Sequence, residues 1–228
     1  MRGLISVLVA MLLSVPAFAQ DGFFCTTPGI SLCYERSEVK SGKLKETSLF
    51  EVDSVYRKGD VREIAFHVTR REKNGRPILG GRTALTMDID DKGTTYLNFG
   101  ETVQCFVRNY FRDANLKYEG TDAILPADAR AGDTLPDANC TVTVLGFKLT
   151  VSVSERSIIK EETVTVPAGT FHCIVVKEHR VEKAPFHNRD FWMQTWYSKG
   201  LGYVKHEVYD KNMKHELTEV LVQKSVSR

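Results

Sequence analysis

Apolar and polar residues alternate with a period of two along most of the chain, the spacing that sends successive side chains to opposite faces of a strand. Residues 45–56 place Leu49, Val52 and Val55 among polar neighbours, and residues 57–60 (Arg-Lys-Gly-Asp) turn this segment into a second strand over 61–68. Asn74-Gly75 is a two-residue hairpin signal, because both residues tolerate positive φ. Residues 83–89 read as a strand, which Asp90-Asp-Lys-Gly93 turns into residues 94–99. In the second half, 141–145, 148–154, 161–166, 171–181, 190–197, 203–209 and 216–222 repeat the pattern between short polar or glycine-containing turns.

One segment breaks the rhythm. Within residues 102–111, Val103, Phe106, Val107 and Tyr110 recur at three- and four-residue spacing, which predicts a short amphipathic helix. Residues 120–137 are rich in Ala, Asp, Gly and Pro and predict an internal crossover, since neither flanking half is long enough to close a barrel alone. About ten strands and one helix with short connections predict an all-β, mainly antiparallel domain.

The N-terminus departs from this pattern. Arg2 precedes the apolar run of residues 4–13, Pro16 follows, and Ala17-Phe18-Ala19 offers small residues at a signal-peptidase site. The run is half the ~20 residues a membrane-spanning helix needs, so residues 1–19 read as a cleavable secretory signal. Gly22-Phe23-Phe24 before Cys25 is too bulky for a lipidation site. The exported chain, residues 20–228, reads as a single β-rich domain with no further transmembrane segment, destined for the periplasm, the envelope or the medium. Its interspersed charges, +2 overall for the whole chain, lack the basic stripe that nucleic acid requires. Export permits disulfides among Cys25, Cys33, Cys105, Cys140 and Cys173. The odd count leaves at least one thiol over, and fifteen arrangements of two bridges stay open. A Cys25–Cys33 bridge across the Thr-Pro-Gly turn is the favoured pairing.

Further along, Leu125-Pro126, Gly132-Asp-Thr-Leu-Pro-Asp137, Glu161/Glu162, Thr163 through Pro167-Ala-Gly-Thr-Phe171, Cys173, Trp196-Tyr197, Gly200-Leu-Gly202 and Val204-Lys-x-Glu-x-Tyr-Asp210 form a recognisable series. Across residues 125–221 the chain resembles the TapB-like family of exported bacterial proteins, mostly from the Bacteroidota, and a broader group of unknown function. The resemblance implies a curved half-barrel sheet like those of lipocalins or LolA, with a helix near its open side. It implies an envelope or secreted location and no catalytic residues.

The residues themselves offer little reaction chemistry. There is no Gly-x-Ser-x-Gly elbow, and His215-Glu216 lacks the second histidine of a zinc-protease helix. Asp88-x-Asp90-x-Lys92-Gly93 begins like a calcium loop, but Lys92 and Phe99 occupy ligand positions. His172 and His179 are seven apart, so a regular strand would turn them to opposite faces. The sequence therefore predicts no enzyme, metal or cofactor. Its candidate ligand site is aromatic: Trp192 and Trp196 on one strand face, roofed by Phe106 and Tyr110 of the helix, enclosing a lipid or other apolar or amphipathic small molecule. The alternative is a protein-interaction or adhesion-related module binding an envelope partner through an open sheet edge.

Overall fold

The computed structural model of the chain describes residues 21–110, 115–185 and 187–226. The signal segment, Phe111 and Phe186 lie outside the described residues. The strands are β1 (Ile30–Glu38), β2 (Leu44–Lys58), β3 (Val61–Glu72), β4 (Pro77–Asp90) and β5 (Thr95–Leu97), followed by helix α1 (Phe99–Tyr110). Then come β6 (Leu116–Thr121), β7 (Ala123–Leu125), β8 (Ala138–Val144), β9 (Phe147–Val166), β10 (Gly169–Ala184), β11 (His187–Ser198), β12 (Gly202–Asp210) and β13 (His215–Val226).

All thirteen strands join one sheet in the order β6-β8-β9-β10-β11-β12-β13-β1-β2-β3-β4-β5-β7, and every pairing is antiparallel. The all-β, antiparallel expectation therefore holds. The two outermost strands, β6 and β7, are separated in sequence by Asp122 alone, so the chain ties one edge of the sheet to the other. Helix α1 lies across this seam, against β4 on one side and β6 and β8 on the other. Val103 and Val107 on its buried face meet Cys140, Val142, Val144 and Val151. The sheet is thus a nearly closed barrel, more closed than a half-barrel.

Alternation in β1 shows how the inner wall is built. Ile30, Leu32 and Tyr34 are all buried, and Arg36 continues their face. The register carries that face to Phe50, Ser48 and Glu46 on β2 and to Leu221 and Glu219 on β13. The main core gathers Leu32, Tyr34, Phe66 and Leu221 there, with Phe24 and Phe50 packed against it. The N-terminal residues plug one end of the barrel: the Gly200 amide donates to Gly22 O (2.8 Å) and the Phe23 amide to Thr95 Oγ1 (2.8 Å). Gly22 is required at that crossing, because a Cβ would sit 2.6 Å from Thr95 Oγ1.

The crossover of residues 126–137 is pinned rather than loose. Thr134 bridges Ser157, the Leu135 amide donates to Arg156 O, and the Ile158 amide donates to Asp133 O. Arg156, 1% exposed, donates to Pro136 O (2.7 Å), Ile124 O (3.2 Å) and Glu178 Oε2 (3.2 Å). Its Nε, Nη1 and Nη2 each donate to one of these acceptors, a spread of donors that suits arginine and not lysine.

Several boundaries differ from the sequence expectation. Helix α1 starts three residues early: the Thr102 amide already donates to Asn98 O, and Glu101 Oε2 ties the first turn to β4 by accepting from the Thr86 amide and hydroxyl and from Asn98 Nδ2. Residues 148–154 and 161–166 are one strand, β9, continued through a bulge at Glu155 (φ 52). The sequence reading omitted β1, β6 and β7. All five cysteines are free, which corrects the Cys25–Cys33 pairing. Cys25 is buried in the main core, whereas Cys33 lies between Leu32 and Tyr34 and so takes the other face of β1.

Candidate functional site

The inner wall carries an unexpected belt of polar side chains. Along β13 the inward positions run Leu217, Glu219, Leu221; along β12 they include His206 and Val208; along β1 they end Tyr34, Arg36. Arg36 donates to Glu219 Oε2 through Nε (2.7 Å) and pairs with Glu46 Oε1 (3.0 Å), which also accepts from Arg70 (2.8 Å). Tyr203 donates to Glu219 Oε1 (3.1 Å), and Thr195 Oγ1 shares a hydrogen bond with His206 Nδ1 (2.8 Å). Glu219 is 3% exposed and Thr195 5%.

These groups hold fixed charge states. Burial, with Arg36 and Arg180 nearby, lowers the His206 pKa to about 3 against the pull of Glu207, so the imidazole is neutral. Burial and then the Glu219 charge push the Tyr203 hydroxyl well up. Burial opposes the Arg36 charge, but Glu219 and Glu46 outweigh it and hold the guanidinium above its usual range. The belt separates the main core from a second apolar cluster of Phe191, Met193 and Val208. An acyl chain running the length of the barrel would have to displace paired charges. Sequence reading missed this belt, although the signal was present: charged residues at the same parity as the buried apolar ones.

The open space lies elsewhere. At the plugged end, where the β9–β10 and β11–β12 turns meet the N-terminal segment, an open cleft of about 480 Å³ has Phe23, Phe171, Ile174 and Tyr197 as its apolar floor. His172, Glu161 and Lys199 stand on its rim, with His172 Nε2 3.5 Å from Glu161 Oε2. Lys199 Nζ lies 5.9 Å from the Phe23 ring centroid.

The four aromatic residues singled out from the sequence fall in two places. Phe106 and Tyr110 are on α1, their side chains outside the described residues, and α1 packs mainly on β4, β6 and β8. Trp192 and Trp196 share a face of β11, the one turned away from Met193 and Thr195. Trp196 is 3% exposed, packs in the main core with Cys173 and Val175, and donates through Nε1 to Glu162 Oε1 (2.5 Å). Trp192 is half-buried between the stacked His179 ring (4.6 Å) and the Lys177 ammonium (4.3 Å). His179 meets Asp190 (2.7 Å), away from His172 on Glu161. Among the described residues no three His, Cys, Asp or Glu side chains are placed to hold a metal ion.

This nearly closed antiparallel barrel has a fold that solved structures share. A Bacteroides fragilis protein, described as a candidate exported protein with a YmcC-like fold, superposes at a TM-score of 0.71 with 21% identity, over 90% of this chain and 99% of its own. A candidate lipoprotein from Parabacteroides distasonis superposes at 0.71 with 22% identity over the same shares. The chain belongs to the DUF3108-like family, whose model matches residues 32–221 and so takes in the N-terminal hairpins as well as the second half. No curated protein matches it. Among the described residues no helix is long and apolar enough to cross a membrane.

Proposed function

We propose that this is a non-catalytic binding protein of the periplasm or cell envelope that holds an amphipathic small molecule in the cleft at the plugged end of its barrel. The observation that carries this reading is the contrast between the two spaces. The interior is crossed by paired charges, whereas the cleft combines an aromatic floor with a polar rim, at a volume within the roughly 300–1,000 Å³ of ligand sites. The reading moves the ligand from the Trp192 and Trp196 face to Phe171 and Lys199. A catalytic role finds little support, since the nearest nucleophile–base pair, Thr195 and His206, is inside the barrel with the imidazole's basicity suppressed. The solved neighbours described as a candidate exported protein and a candidate lipoprotein support the compartment.

The test is native mass spectrometry of protein taken from the periplasm, followed by titration with a fluorescent fatty acid. A lipid-mass adduct is expected, with binding weakened about tenfold or more by Phe171→Ala or Lys199→Glu, on the scale of one lost contact of about 1.4 kcal/mol. Trp192→Ala should leave it unchanged. Absence of both adduct and titration, or equal loss in Trp192→Ala, sinks the cleft reading. A second reading, docking of a partner strand, rests on β6, an edge strand whose residues 117–121 are all exposed. It gains if a purified partner protects the β6 amides from exchange.

A further inference from the structure

Antiparallel pairing sorts the turns of this barrel into two sets, and their chemistry differs. The β1–β2, β3–β4, β8–β9, β10–β11 and β12–β13 turns all lie at the end opposite the cleft. Neighbouring turns there are hydrogen-bonded into the rim: the Val39 amide donates to Glu216 O and the Lys73 amide to Lys45 O. Residues 39–43, 73–76, 145–148 and 211–214 contain no acidic residue. They carry Lys40, Lys43, Lys73, Lys148, Lys211 and Lys214, all exposed, and none is in an ion pair among the described residues. The turns and crossover of the other end mix the two signs, Asp60, Asp91, Asp128 and Asp133 with Lys92, Arg130 and Lys199, and Arg130 there is paired with Asp133.

The basic end also projects apolar side chains. Leu145 is 69% exposed and Phe147 51%, on the two sides of Gly146 at the tip of the β8–β9 hairpin. Met213 (39%) and Val39 (44%) belong to the β12–β13 and β1–β2 turns, the second and third turns round the rim from that tip. Leu145 moreover adopts φ 49, a left-handed conformation that Gly, Asn or Asp enters far more readily. An exposed leucine there gains neither burial nor backbone ease, so nothing in the fold calls for it.

We propose that this end of the barrel docks on an anionic lipid surface, its lysines facing the phosphate headgroups and Leu145 and Phe147 entering the headgroup–acyl boundary. Cationic rim and apolar tip each match one layer of that surface: unpaired lysines are drawn to the negative potential, and apolar side chains gain by leaving water. The cleft, at the far end, then faces away from the membrane.

The experiment is flotation of the protein, purified in its exported form, with vesicles of phosphatidylglycerol and phosphatidylethanolamine, against neutral phosphatidylcholine. Binding to the anionic vesicles alone is expected, and its loss in about 1 M salt, where the Debye length falls to roughly 3 Å. Changing Lys40, Lys148 and Lys211 to Glu should weaken it about 100-fold or more, at roughly fivefold per neutralised lysine. Leu145→Asn separates binding from folding, because it should raise the unfolding temperature by relieving the left-handed leucine and yet weaken vesicle binding. Phe171→Ala, in the cleft, should bind vesicles normally. No binding to anionic vesicles, equal binding to neutral ones, or binding that survives the three charge reversals overturns the proposal; in those cases the rim is left to a protein partner.

Discussion

Arg156 ties three parts of this molecule together. It is buried and charged, and it joins β9 to Glu178 on β10, to Pro136 in the crossover and to Ile124 on β7. Truncating one member of such a set leaves the others desolvated and unpaired, which costs roughly 3–5 kcal/mol. Arg156→Ala should therefore lower the unfolding temperature by about 6–20 °C, at about 2–4 °C per kcal/mol for a chain of this size; a shift under about 2 °C would contradict this assignment. His206 gives a second prediction, in pH. The folded imidazole takes a proton only near pH 3, but the unfolded one does so at 6.5. Below 6.5 the unfolded state binds more protons, so stability present at neutral pH falls as the pH drops from 6.5 towards 3, by up to about 1.4 kcal/mol per unit. His206→Gln should flatten that part of the profile relative to wild type in urea titrations at pH 7 and 5. Identical slopes in the two proteins would show that the imidazole is already solvated. Neither residue stands out in the sequence: Arg156 sits in a polar run, Ser154-Glu-Arg-Ser157, and His206 alternates like any exposed strand residue. Their roles come from partners such as Thr195, 11 positions from His206, Pro136, 20 from Arg156, and Arg36, 170 from His206, which no local pattern records.

Individual elements were more legible. Period-two alternation located β2, β3, β4 and most of the strands after position 140, because each has one face against the core. It misjudged β9, where the bulge at Glu155 resets the parity and makes one long strand look like two. The helix was visible from Val103 and Val107, but its start was not, since the Asn98 and Glu101 side chains that hold the first turn bond to Thr86 of β4. Glu101 accepts hydrogen bonds from both the Thr86 amide and hydroxyl (2.7 and 2.8 Å), and one carboxylate thereby fastens the helix to the strand beneath it. Glu101→Ala should cost about 1–3 kcal/mol, the loss expected when a charge-assisted acceptor is removed, and should speed hydrogen exchange at the Thr86 amide more than at Ile64. If Thr86 exchange is unchanged, the helix is held to the barrel by Val103 and Val107 alone. The aromatic site inferred from Phe106, Tyr110, Trp192 and Trp196 asks for a different kind of information. Each residue is in the element assigned to it, but periodicity carries no information on which strands adjoin the helix.

Closure belongs to the whole chain. Each hairpin is local, and the sequence displays its turn, whereas joining β13 to β1 requires contacts across nearly the full length. The long pairs β2–β3, β9–β10 and β10–β11 form extended ladders, twelve residues pairing in β2–β3 alone. The seam is weaker: β5 and β7 are three residues each, joined by three Cα pairs, and α1 covers the gap with two buried valines and one carboxylate. Local opening follows the regions with fewest buried contacts and shortest ladders. Hydrogen exchange should therefore be fastest, among the paired segments, in β5, β7 and α1, and slowest in the centres of β10, β11 and β13. Denaturant at low concentration should widen the gap by opening the seam before the rest. This order matters for binding as well, because β7 holds the crossover that contributes Ala129 to the cleft. A ligand in that cleft should slow exchange in β7 although it touches none of the β7 amides. Uniform protection across the sheet would mean that the barrel opens as one unit, with the seam as strong as the hairpins and the cleft uncoupled from it.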